Sequence, residues 1–141
     1  MSQTPEGRFW QALRRAMPKD WTAQRIENRT GGGVPDVYFN ARGLPFWAEL
    51  KVITSSKVRV RPHQIAWHTS QNRKYGLSFS LVQHLETRHV YLVRGSQALD
   101  LATKSLSEVQ CSRFEALGPL LTQIEHYVWD HYHELIVGRR R

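Results

Sequence analysis

Two apolar runs carry polar residues where a buried strand would not put them. Asp36 opens the run through Val37 and Phe39, while Glu49 and Lys51 interrupt a second run made of Phe46, Trp47, Ala48, Leu50, Val52 and Ile53. Side chains alternate along a strand, so Glu49 and Lys51 share one face and Leu50 points to the other. A charge inside a buried strand needs a partner or a metal. Asn40 to Gly43 offers turn residues between the runs, which predicts an antiparallel hairpin. Pairing would carry Asp36 towards Glu49 and Lys51. Two carboxylates meeting one amine make a site for a hard cation, since oxygen ligands suit Mg²⁺ or Mn²⁺.

On either side the periodicity changes. Thr4-Pro5-Glu6 reads as a helix start, followed by Phe9, Leu13 and Met17 at helical spacing, with Pro18 as the stop. Glu6 falls on or beside the buried face, where it reads as a first-turn acid favoured by the helix dipole. Arg8, Arg14 and Arg15 read as a solvated face, with phosphate contact as the alternative. Trp21 to Asn28 alternates loosely and is expected to be the first strand. Arg29, Thr30 and the triple glycine Gly31 to Gly33 form a loop into Asp36. No helix follows the glycines, which excludes a P-loop.

After Ile53 the cations Lys57, Arg59 and Arg61 occupy alternate positions and point one way if extended. They are a solvated loop face or a phosphate-binding strip. Pro62 starts a helix with Gln64 in its first turn and Gly76 past its end. His63 and His68 read as surface or N-terminal polar residues. Leu77 to Gln83 and Val90 to Val93 are β-rich runs, Ser96 is expected to cap a short helix through Ala102, and Thr103 to Arg113 reads as a loop. From Pro119 a C-terminal helix carries Leu121, Ile124, Val128, Tyr132 and Leu135 on one stripe, packed on its own domain or against a second copy. His126, His131 and His133 do not share a face and predict no metal site. Arg139 to Arg141 form a basic tail.

Composition narrows the partners. A chain of 141 residues with 40% hydrophobic and 23% charged residues predicts one globular domain. Twenty Lys and Arg against twelve Asp and Glu leave a net charge of +8, which favours a polyanion. The absence of a long apolar segment predicts a soluble, intracellular protein with no membrane partner. A lone Cys111 excludes an internal disulfide and any multi-cysteine zinc site.

Pro35-Asp36 followed by Glu49-Leu50-Lys51 resembles the PD-(D/E)XK nuclease signature. Gly33-Val34-Pro35-Asp36 with Gln64 downstream is similar to the branch that holds the VRR-NUC and Holliday-junction-resolvase-like enzymes. The resemblance runs over about residues 5 to 93. It implies an α/β, restriction-endonuclease-like αβββαβ core over residues 1–112, a mixed sheet flanked by helices. Residues 113–141 would add a C-terminal helix and basic tail, packed on the same domain or at a dimer interface.

The implied site holds Mg²⁺, with Mn²⁺ substituting, on Asp36, Glu49, the Leu50 carbonyl and Glu6. Lys51 and Gln64 would serve the water and phosphate, and Glu6 would assist. Arg29, Lys57, Arg59, Arg61 and His63 would contact DNA. The implied activity is a structure-selective DNA endonuclease of the phage or bacterial resolvase type. It would act as a homodimer on branched or junction DNA and leave 5′-phosphate and 3′-hydroxyl ends. It would work in the cytoplasm, the nucleoid or, if viral, the host cytoplasm. A nickase, flap nuclease, exonuclease or non-catalytic nucleic-acid-binding protein is the alternative.

Overall fold

The computed structural model describes residues 4–26 and 33–138. Arg29, Thr30, Gly31 and Gly32, with the tail Arg139 to Arg141, lie outside the described residues. Helix α1 (Pro5–Ala16) starts as its sequence dictates. The Thr4 hydroxyl accepts a hydrogen bond from the Gly7 amide at 3.0 Å, and Pro5 occupies a first-turn position that needs no N–H. Phe9, Trp10 and Leu13 form its buried stripe.

Strands β1 (Trp21–Arg25), β2 (Val37–Ala41) and β3 (Leu44–Ile53) run antiparallel to one another in sequence order. The described part of β1 ends at Arg25, short of the expected Asn28. The β2–β3 turn is Arg42-Gly43, with φ of 55° and 92°, the positive values that match the twist of a tight hairpin. Arg42 tolerates that conformation while its guanidinium bridges Asp20 at 2.6 Å and Glu125 at 3.1 Å.

Helix α2 (Pro62–Arg73) then crosses over to β4 (Ser78–His84), which lies parallel to β3. Strands β5 (Val90–Arg94) and β6 (Ser112–Phe114) complete a mixed six-stranded sheet in the order β1-β2-β3-β4-β5-β6. On one face Phe39, Phe46 and Phe79 pack beneath α1 and the C-terminal helix α4 (Leu117–Gly138), which contributes Leu120, Leu121, Ile124 and Val128. On the other, Val58, Val82, Val93, Leu101, Leu106 and Val109 form a smaller core that includes α3 (Ala98–Thr103). No helix among the described residues is long and apolar enough to cross a membrane.

Four expectations change. Thr103 to Arg113 is not only loop: Leu106 and Val109 are buried, a 3₁₀ turn spans Leu106–Glu108, and β6 begins at Ser112. A three-residue edge strand is too short to show a period of two. Ser96 does not cap α3; it lies inside a 3₁₀ turn over Gly95–Gln97, and Gln97 precedes α3 without a side-chain cap. The C-terminal helix begins at Leu117, with Pro119 in its first turn.

His68 is not a surface residue. It is buried, and its Nδ1 lies 2.7 Å from the Ser78 hydroxyl oxygen. Gly95, the first residue after β5, closes this contact, since a Cβ there would stand 2.1 Å from the Ser78 hydroxyl and 3.0 Å from His68 Nδ1.

Candidate active site

The register of the hairpin decides the site. Val37 pairs with Ala48, so the next position on each strand sets Asp36 opposite Glu49. The Asp36 carboxylate accepts a hydrogen bond from the Leu50 amide at 2.8 Å, and its carbonyl accepts one from Ile26 at 2.6 Å. A strand residue sends its N–H and C=O towards the same neighbour, so the Leu50 carbonyl also projects on the Asp36 side. Leu50 itself points into the core, as alternation requires.

Gly33 lets the chain reach this position. Its φ is +77°, and a Cβ there would come within 2.3 Å of the His63 carbonyl oxygen at the start of α2. The approach to Asp36 is therefore pressed against the end of the helix that carries Gln64.

Gln64 joins the charged groups. Its amide nitrogen donates to Glu49 Oε1, while its oxygen accepts from Lys51 Nζ at 3.1 Å and from the Arg61 amide at 3.0 Å. Lys51 Nζ lies 3.9 Å from Glu49 Oε1. Glu49 is only 4% exposed, and its second oxygen, Oε2, is buried with no hydrogen-bond partner among the described residues. An unpartnered buried carboxylate oxygen is costly.

The electrostatics record that cost. Burial, then the neighbouring Asp36, pushes the Glu49 carboxyl up to about 8, against the smaller opposing pull of Lys51. Burial also raises Asp36, partly offset by the Leu50 amide, Lys51 and Arg25. A cation between the two acids would reverse both shifts. Two carboxylates and a main-chain carbonyl are hard oxygen donors of the kind a divalent cation takes, and the unpartnered Glu49 oxygen fits that donor set. Among the described residues no three His, Cys, Asp or Glu side chains converge on one point. Further ligands would have to be main chain, water or substrate oxygens.

These residues line a cleft of about 550 Å³. Glu6, Asp36, Glu49, Leu50, Lys51 and Gln64 border it, as do Lys57, Arg59, Arg61 and His63. Glu6 is exposed, and its charge raises the Glu49 carboxyl less than any of the other groups named above. The basic strip works by alternation: Val58 is buried in the smaller core, which leaves Lys57 and Arg59 facing solvent. Arg29 falls outside the described residues. Arg25 was not foreseen; it ends β1 beside Val37 and lowers the Asp36 carboxyl electrostatically. Its only signal in the sequence was the register of a loosely alternating strand.

This mixed sheet flanked by helices is a restriction-endonuclease-like fold. No protein-family model matches the sequence, and no curated protein sequence does. Among solved structures the chain is similar to Archaeoglobus fulgidus Hjc, a Holliday junction resolvase from an archaeal hyperthermophile. The TM-score is 0.50 at 11% identity, over 65% of this chain and 74% of that one. At that identity the shared property is the fold.

Proposed function

We propose that this protein is a Mg²⁺-dependent DNA endonuclease that selects branched structures, in the manner of a Holliday junction resolvase. The observation that carries the reading is the convergence of Asp36 and Glu49, with one buried carboxylate oxygen unpartnered, on a cleft bordered by Lys57, Arg59 and Arg61. The fold shared with a junction resolvase supports it.

In this reading Asp36, Glu49 and the Leu50 carbonyl would hold the ion, with Glu6 at the rim assisting. When bound there, a divalent ion would supply an acidified water and offset negative charge on the scissile phosphate. Lys51 places its ammonium beside that phosphate and stabilises the charge that grows on its oxygens as water adds to phosphorus and the P–O3′ bond breaks. Gln64 keeps Lys51 and Glu49 in register and orients water through its amide. Lys57, Arg59, Arg61, His63 and Arg29 bind the DNA backbone and read no sequence.

Two strands of a junction must be cut symmetrically, which calls for two sites related by a twofold axis. The outer face of α4 leaves Trp129, Ile136 and Val137 exposed, and this apolar stripe is the surface on which a second copy would pack.

The test is a cleavage assay on four-way junction, flap and linear DNA with Mg²⁺, Mn²⁺ or EDTA. Cutting of branched DNA that requires the ion and is lost in D36A and E49A supports the reading. Binding without any cutting, or cutting that survives both substitutions, defeats it.

A further inference from the structure

Each of the three elements that supply the site carries an aromatic residue one step further along in a common direction. Tyr38 follows Asp36 by two positions on β2, and Trp47 precedes Glu49 by two on the antiparallel β3, a spacing of about 7 Å. Trp67 follows Gln64 by three positions on α2, which places it on the same helix face. Their rings meet in a row. Tyr38 and Trp47 are 5.2 Å apart at 65°, and Trp47 and Trp67 are 5.6 Å apart at 71°.

All three residues of the row are half-buried. The row lies on the sheet face opposite the phenylalanine core, where Thr22 and Gln24, the partners of Asn40 and Tyr38, are exposed. Trp67 is also edge-to-face with His68 at 5.6 Å, but none of the three is buried, so some of their surface remains open to another flat group. The basic strip begins beyond Lys51 at the other end of β3, so the carboxylates stand between phosphate-binding cations and aromatic rings.

We propose that Tyr38, Trp47 and Trp67 form a stacking surface for nucleobases released from pairing next to the scissile phosphate. This rests on the nuclease reading above and deepens it by naming the feature selected. A continuous duplex keeps its base faces covered by their neighbours, whereas a branch point or splayed arm exposes them. Cations hold any DNA backbone alike; the rings add affinity only where a base face is free. The substrate class is therefore DNA with unpaired or unstacked nucleotides at the cut, and fully paired duplex is the disfavoured form.

The experiment compares cutting, with Mg²⁺, of a continuous duplex, the same duplex with one splayed arm, and the splayed form with abasic positions in that arm. The unaltered protein should prefer the splayed arm, and the abasic positions should remove that preference. W67A should lower the ratio of splayed to continuous cutting about tenfold or more, with W67F retaining much of it. Because W47A can disturb β3, the abasic substrate tests the same point on unaltered protein. Asp36-dependent cutting with a ratio indifferent to both ring loss and abasic positions would overturn the stacking surface alone. Absence of any binding or cutting of DNA by the unaltered protein would overturn the nuclease reading and this inference with it.

Discussion

Lys51 and Glu49 sit two positions apart on one strand face, yet their charged atoms are 3.9 Å apart, and Gln64 bonds to both. A neutral amide therefore sets the spacing of the amine and the carboxyl. Direct pairing would tie up the amine and leave less of its field for a phosphate. Gln64→Leu should let that pair close and should lower cutting by roughly 10- to 100-fold, in line with the loss of one positioned polar group. The affinity for DNA should change little. Steady-state kinetics on a branched substrate check this, and an unaltered rate would remove Gln64 from the mechanism.

Asp36→Ala and Glu49→Gln both take a cation-holding carboxyl from the floor of a basic cleft. Cutting should disappear in each, and DNA binding in EDTA should stay equal or become tighter. Glu49→Gln should also fold at least as well as the parent, because it replaces a buried, partly unpartnered carboxylate with a neutral amide of the same shape. Electrophoretic binding assays and thermal melts read both effects.

Lys57, Arg59 and Arg61 are exposed, so replacing them with alanine should leave stability nearly unchanged. If each contacts one phosphate of a duplex arm, each loss should reduce the slope of log K against log salt by about 0.9. A titration across salt concentrations measures this. A slope unmoved by the triple variant would make the strip a solvated surface.

His68 gives a pH dependence of stability. Burial, with a smaller effect from Lys51, lowers its imidazole to about 4 from an ordinary 6.5, so the folded protein holds it neutral. The unfolded chain binds the proton more readily between those values. Stability is thus complete above pH 6.5 and is lost as pH falls towards 4, by up to about 3 kcal/mol. Denaturant titrations at several pH values should show this decline, and His68→Asn should lack that share of it at a lower starting stability.

Trp129 is 64% exposed on the outer face of α4, where it stacks on His133 at 6.4 Å. If that face joins two copies, Trp129→Glu should convert a dimer to a monomer by light scattering and leave the melting temperature of the monomer unaltered. A parent protein that is monomeric throughout the concentration range would refute the pairing.

The amino-acid sequence determined what depends on near neighbours. Alternation placed Glu49 and Lys51 on one face and Leu50 on the other, turn residues joined β2 to β3, and Thr4 with Pro5 started α1, because period, turn and cap are settled within a few residues. The order of helix and strands followed, and so did the opposition of Asp36 and Glu49, once the hairpin was granted. Tertiary structure decided the rest. The burial that raises Glu49, the bond from Gln64 fifteen positions away, the contact of His68 with Ser78, the influence of Arg25 on Asp36 and the row of three rings all require elements distant in sequence to pack together. Desolvation and Coulomb interaction depend on distance in space, and only the folded sheet with α2 laid against it fixes those distances.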